Sequence, residues 1–516
     1  MPALSEPTSN QENARNPKRL VILCDGSWQS ADKASSPIPS WPTNIVRLTR
    51  AIKPTTWVYR KNDAGKMARI QVDQVTYYQS GVGTGIGDVL SGGTFGIGLS
   101  EKIRSAYGFL ANNYVEGDTI AIFGFSRGAF TARAIGGLIT GMGLLSKRGM
   151  DNFQSVYRDF YNADCDETRM ASDKAYRDKY GLFKLNEGTI EVIGVFDTVG
   201  FHNPINEFLP DWLRNRSLLR LLLGEQYELK NTELPKGLKY AFHALSLDEA
   251  RIPFRPTLWF QRKDQVKSRS PDPNDDWDGT TLLEQVWFSG THSHVGGGLQ
   301  HPQLSAIAFG WMASQLTKYN LLDLDSDYLL VDPAQGDSRE KWATKDKLGA
   351  VWYGNGAPGG FLRKIQLFLY NLGYFLLGLA AINLFTKQFQ DILGVRKPGR
   401  YEAKPSKGSK KSDYVTNEYL HSSIDDRHLD TKVKSSSWPC ISLRDFTRGS
   451  GKTWISPGGF TSDPVKLKQT KVGDVERRCK NNLRDLALGC LIEAPLSSKI
   501  KSSGFVEGVE NNEMYY

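Results

Sequence analysis

Cysteine is scarce in this sequence, and that scarcity excludes two kinds of small stabilised scaffold. The five thiols, Cys24, Cys165, Cys440, Cys479 and Cys490, are odd in number, far apart and without metal-ligand spacing. Neither a disulfide framework nor a structural zinc site is therefore expected, and free thiols in a reducing compartment are. An apolar leader is missing too: the first 18 residues, MPALSEPTSNQENARNPK, are polar, which predicts a cytoplasmic protein without a signal peptide there. The glycine-dense stretch from Gly81 to Gly96 contains no strict G-x-G-x-x-G, so no nucleotide is expected. No histidine pair has the helical H-E-x-x-H spacing, and neither a metal nor any other cofactor is expected. The net charge of +9 comes with no basic-aromatic array, which argues against a nucleic-acid partner and suits an anionic surface such as a membrane. No internal repeat is visible, which excludes a solenoid.

What the chain does have is centred on Asp118 to Arg133, DTIAIFGFSRGAFTAR. Five residues able to form a buried strand, Ile120 to Gly124, lead into Gly124-Phe125-Ser126-Arg127-Gly128. Ala129, Ala132, Ile135 and Leu138 then recur at helical spacing. A strand, a tight turn with glycine two before and two after a serine, and a helix are the context that a nucleophile elbow demands. The helix N-terminus after Ser126 would direct its amides to the same place.

Other strand-like runs end in groups with chemistry. Leu20 to Cys24 ends in Asp25-Gly26-Ser27, a loop suited to supplying an oxyanion amide, or with Asp25 as a rival nucleophile or acid. Val72 to Tyr78 alternates as a strand, and Ser100 is expected to cap a helix running to Gly117. Thr189 to Phe196 ends in Asp197, and Val286 to Gly290 ends in Thr291-His292-Ser293-His294. The stretch from Tyr240 to Trp259 carries His243, Asp248 and Glu249. Ester hydrolysis at neutral pH needs a nucleophile, a base near pH 7 and a group that fixes the base's tautomer. Ser126, His292 and Asp197 supply these in the order serine, acid, histidine expected of an α/β-hydrolase. Oxyanion donors are expected from Gly26, Ser27 and Arg127. His294 competes with His292 as base, and Asp248 and Asp25 compete with Asp197 as acid.

Seven ordered segments now resemble a known family: RLVILCDGSWQ, YYQSGVGTG, LSEKIRSAYGFLANNY, GDTIAIFGFSRGAFTARAIGGLI, VIGVFDTVG, FHALSLDEARIPFRPTLW and VWFSGTHSHVGGGL. They look like the α/β-hydrolase domain of type VI secretion phospholipase effectors and their fungal relatives, across residues 19–310. The likeness continues more weakly through RKPGRY (396–401) and TNEYLH (416–421). The resemblance implies an esterase or phospholipase with Ser126 as nucleophile and His292 as base, acting on an ester or lipid. The family pattern more often has aspartate at position 294 and threonine at position 27.

The expected architecture is therefore α/β, an α/β-hydrolase-like, mostly parallel central sheet with helical insertions and a C-terminal extension. A tail of 1–18 precedes a catalytic domain at 19–310, with cap insertions around 145–188 and 201–240. An extension at 311–510 packs on that core, and 511–516 is a tail. The extension contains the chain's most apolar segment, Leu367 to Phe385 within 365–389, with Arg363 and Lys364 before it and Lys387 after it. It is a buried, membrane-docking or spanning helix on sequence grounds, and peripheral membrane contact through it is the expectation that suits a lipid enzyme. A basic loop at 404–411 and a helix over 474–492 complete the reading. The competing functional classes are a non-catalytic hydrolase-like binding protein and an acyltransferase using the same three residues.

Overall fold

The structure, a computed structural model, describes residues 16–26, 42–61, 67–81, 95–161, 173–200, 233–251, 254–266, 277–299, 302–330, 396–401, 410–424, 443, 447–449, 452–456 and 465–470. The apolar segment 365–389, most of 201–240, the bulk of the glycine-dense stretch, Ser27, the expected helix at 474–492 and both expected tails' outer residues lie outside the described residues.

Eleven described strands form one sheet. In chain order they are β1 (Lys18–Cys24), β2 (Thr55–Lys61), β3 (Met67–Gln79), β4 (Thr119–Phe125), β5 (Ile190–Phe196), β6 (Tyr240–Ser246), β7 (Leu282–Phe288), β8 (Glu418–Leu420), β9 (Thr447–Gly449), β10 (Thr453–Ser456) and β11 (Val465–Gln469). Their spatial order is β9-β10-β11-β8-β7-β6-β5-β4-β1-β3-β2. Every pairing from β3 across to β11 is parallel, and antiparallel strands close both edges. The expected α/β class with a mostly parallel sheet is what is found.

Parallel strands are buried on both faces, so their sequences read as continuous apolar runs whose alternate residues enter different cores. In β1, Leu20, Ile22 and Cys24 join a core built with α2 (Phe95–Asn113) and α3 (Arg127–Met142). Val21 and Leu23 point the other way, into a core with α1 (Asn44–Ala51) and the helix Gln303–Lys318. The helix Phe153–Tyr161, within the stretch expected to be an insertion, buries Phe153, Val156, Tyr157 and Phe160 in the first of these cores. Burial raises the Cys24 thiol to about 12, which makes it a small apolar core residue at neutral pH.

Two elements differ from the sequence expectation, and a third stretch, left unassigned there, is a strand. The second helix starts at Phe95, so Ser100 is interior to α2 and does not cap it, and the helix ends at Asn113 before Gly117. The segment carrying His243 is a central strand, β6, buried along its whole length. The C-terminal part continues the sheet itself: β8 pairs in parallel with β7, and β11 with β8. A third apolar core joins Leu245, Trp287, Leu420, Trp454 and Leu467 across that junction.

Two glycines of α3 separate close approach from mere flexibility. A Cβ on Gly128 would overlap the backbone carbonyls of Cys24 and Asp25, whereas one on Gly137 meets only the tip of Phe160 at 3.8 Å. Gly128→Ala should therefore destabilise by about 2–3 kcal/mol through overpacking against backbone. Gly137→Ala should stabilise by about 0.5–1 kcal/mol, since alanine is the better helix residue. Urea unfolding of the two variants beside wild type measures both signs.

Candidate active site

The carboxyl ends of β4, β5, β6 and β7 share one edge of the sheet. Between β4 and α3 the backbone of Ser126 turns with φ 58° and ψ −124°, a region that a side-chain-bearing residue occupies only at about 1–3 kcal/mol of strain. What holds it there is local. The Ser126 N–H donates to the Phe196 carbonyl at 3.0 Å, and the Ser126 carbonyl accepts from Ala129 and Phe130 in the first turn of α3. A Cβ on Gly124 would overlap the Gly128 carbonyl and Ala129, and Gly128 itself lies against the end of β1. The two glycines flanking the serine are thus required by packing. Ser126 is 6% exposed.

Asp197, one residue past β5, also has a positive φ, 40°. Its carboxylate is fully buried and accepts five hydrogen bonds. Oδ1 takes the Ser246 N–H at 2.9 Å and Arg396 at 3.2 Å. Oδ2 takes the Ser246 hydroxyl at 2.8 Å, His292 Nδ1 at 2.6 Å and Arg396 at 3.1 Å. Burial alone would raise its pKa. The Arg396 guanidinium, then the His292 contact, oppose that and hold the carboxyl well below the usual range.

His292 opens the short helix His292–Gly296, which Thr291 caps after β7. Because Nδ1 faces a carboxylate, it carries the proton, which leaves Nε2 of the neutral ring as an acceptor. Nε2 is buried and bonds to no described residue. The ring lies 4.8 Å from both Phe125 and Phe254, and the main-chain N–H donates to Glu249 Oε2 at 3.2 Å. His292 and Asp197 are therefore brought together, while no hydrogen bond joins His292 Nε2 to the Ser126 hydroxyl.

The rival residues have partners of their own. Asp248 accepts the Gly290 N–H at 2.6 Å and so fixes the turn before His292. His294 Nδ1 lies 2.8 Å from the Thr291 hydroxyl in a capping box that starts the His292 helix. Asp25 is 1% exposed and accepts from Thr43 and Tyr78, each at 2.9 Å, and from the Gly26 N–H at 2.7 Å. The Gly26 amide expected to face an oxyanion is thus engaged by Asp25. Arg127 is the first residue of α3, and burial lowers its guanidinium to about 10.

Sequence reasoning missed three partners. Ser246 is placed by β6, a segment to which the sequence pattern assigned no element. His243 accepts the Thr198 N–H at Nε2 and pairs through Nδ1 with Gln285 at 3.1 Å. Burial, then Arg133, lowers it to about 3, so it is a neutral strut. Arg396 arrives from far along the chain; its signal was its position at the head of the RKPGRY segment.

Comparison with known proteins sets this geometry in a family. The profile described as "T6SS, Phospholipase effector Tle1-like, catalytic domain" matches residues 18–315, more than half of the chain. This chain belongs to that family. An uncharacterized protein of Saccharomyces cerevisiae, YEL023C, is 34% identical over 214 residues, which is 37% of this chain and 28% of that one. The chain thus spans under a third of that relative's length. A crystal structure of an uncharacterized protein from Pseudomonas aeruginosa aligns at 18% identity and a TM-score of 0.32, covering 73% of this chain and 56% of that one. That likeness is too distant to bear on the site. The Tle1-like match supports a phospholipase-like hydrolase and covers β1 through β7, whereas Arg396 and β8 lie beyond it.

Replacing each acid by its amide separates their roles. Asp197→Asn leaves Arg396 buried without its counter-charge and should cost about 3–5 kcal/mol, against about 1 kcal/mol for Asp248→Asn, which weakens the bond from the Gly290 N–H. Because the native carboxyl of Asp197 lies below its unfolded value of about 3.9, its stabilisation is complete above that pH and is lost as pH falls through the native value. The gap between wild type and Asp197→Asn should stay level from pH 8 to about 5 and narrow only below. Urea unfolding across that range checks it.

Proposed function

We propose that this chain is a serine esterase of the α/β-hydrolase type that cleaves carboxylic esters of phospholipid-like substrates. One observation carries the reading. A 2.6 Å bond from His292 Nδ1 to a buried carboxylate leaves Nε2 as a proton acceptor, on the sheet edge where Ser126 sits in its strained turn.

In this mechanism His292 Nε2 takes the Ser126 hydroxyl proton as Oγ attacks the ester carbonyl carbon. Asp197 fixes the tautomer and stabilises the imidazolium without taking the proton itself. The tetrahedral oxyanion is met by the Arg127 amide at the N-terminus of α3, while the Gly26 amide stays with Asp25. The proton passes from Nε2 to the departing alcohol oxygen, leaving an acyl group on Ser126. Water, deprotonated by the same nitrogen, then releases the acid. For this step the Ser126 hydroxyl has to meet Nε2, and catalytic hydrogen bonds in apo sites are often looser than in working ones. Membership of a phospholipase-effector family supports a lipid-class substrate.

A fluorophosphonate probe tests the reading. Wild type should label on one serine, Ser126→Ala should not label, and His292→Ala should label slower by several orders of magnitude, as loss of a triad base does. His294→Gln, which alters a helix cap, should label at close to the wild-type rate while losing about 1 kcal/mol of stability. Folded wild-type protein that does not label would instead favour the non-catalytic class.

A further inference from the structure

Resting on that reading, we infer that Arg396, from a segment beyond the Tle1-like match, is a positioning residue that completes the Asp197–His292 pair and sets the pH range in which it works. The geometry is that of a built site. Arg396 is 2% exposed, and its two terminal nitrogens each take one oxygen of Asp197, at 3.2 and 3.1 Å, in the fork arrangement that fixes a carboxylate's plane as well as its charge. One of these nitrogens also donates to the Phe254 carbonyl at 2.5 Å, and Phe254 is the residue whose ring packs on His292. The guanidinium thereby ties together the acid, the base's aromatic wall and the C-terminal segment.

That segment is anchored independently of Asp197. The turn after Arg396 donates the Gly399 N–H to Glu418 Oε2 on β8 at 2.7 Å, and the same oxygen accepts the Trp287 indole N–H from β7 at 2.8 Å. Tyr401 stacks on Trp287, and Arg400 reaches the Ser456 hydroxyl on β10 at 2.8 Å. Glu418 stands on the strand that extends the parallel sheet beyond β7. The extension therefore delivers a fixed positive charge to a site whose other members all come from residues within 18–315.

The charge count gives the consequence. In a simple acid–histidine pair the carboxylate is neutralised only when the imidazole takes a proton. Here Arg396 neutralises Asp197 already, so protonation of the pair adds a net positive charge in a buried place and is resisted. Among the described residues, the charged and titratable groups beside the pair are themselves paired or neutral. Glu249 behind the His292 main chain is matched by Arg251 at 2.8 Å. His243 on β6 stays neutral, with Arg133 of α3 behind it. Arg396 thus keeps Asp197 ionised and the pair ready to accept the serine proton at more acidic pH than it otherwise would.

The test is the pH dependence of fluorophosphonate labelling from pH 4.5 to 9 in wild type, Arg396→Gln and Arg396→Lys, with hydrolysis of a soluble ester measured alongside. In Arg396→Gln the acid limb should move up by about one unit or more, with kcat reduced and KM for the ester within about twofold, since Arg396 touches no substrate. Arg396→Lys keeps the charge without the fork. Its limb should stay with wild type while its plateau rate falls by about threefold or more. A folded Arg396→Gln with the wild-type limb overturns the inference. If Arg396→Gln does not fold, Arg396→Lys decides alone: a lowered plateau with the wild-type limb supports the inference, and a wild-type plateau or a displaced limb overturns it. Wild type that never labels overturns the esterase reading itself, a different outcome from labelling that is indifferent to position 396.

Discussion

A negative charge buried beyond the reach of water has to be met by the protein, and Asp197 is where this chain meets that demand. The carboxylate sits at the end of β5 with donors from β6, from the loop after β7 and from the C-terminal segment. No one of these suffices. Desolvation of a carboxylate is expensive enough that removing a partner leaves a large uncompensated term, so strand order and extension are all constrained by one side chain. Adjacent parallel strands in register bring β5, β6 and β7 to the same edge, and the sheet's continuation through β8 brings Arg396 there as well.

Strain is concentrated beside that charge. Among the described residues, Ser126 and Asp197 are two of the five non-glycine residues with positive φ, and they end neighbouring strands. Such conformations persist only where the surroundings over-determine them. For Ser126 the determining contacts are backbone against backbone, through Gly124 and Gly128. For Asp197 they are hydrogen bonds, its own N–H donating to the Ala244 carbonyl at 2.7 Å. The loops that support this strained edge carry the rival residues: Asp248 fixes Gly290, His294 caps the His292 helix, and Asp25 fastens Gly26 to Thr43 and Tyr78.

The sequence made much of this legible because the determinants are local. β1, β4, β5 and β7 are apolar runs that stop at a polar or glycine-rich loop, and Asp25, Ser126, Asp197 and His292 each stand in the first few residues after such a stop. The spacing of glycines about Ser126 states the tightness of its turn. The features that could not be read depend on distant neighbours. β6 contains a histidine whose burial is tolerable only because Gln285 and the Thr198 amide satisfy both ring nitrogens. β8 is three residues long, too short for any periodicity to register. Choosing among Asp25, Asp197 and Asp248 as the partner of His292 needed the register of strands, and the role of Arg396 needed the fold itself. The Gly26 amide was assigned from its place in a loop, and its capture by the adjacent carboxylate is a side-chain rotamer that no pattern reports.

Strained turn, oriented base and buried acid have one chemical purpose in common if Ser126 carries an acyl group during turnover. A rapid-quench experiment with an activated carboxylic ester measures that directly. A covalent acyl-enzyme predicts a burst of released alcohol equal to the enzyme concentration, with the acyl mass on the peptide that contains Ser126. Hydrolysis without a burst, with the acyl group found elsewhere or nowhere on the chain, would contradict it.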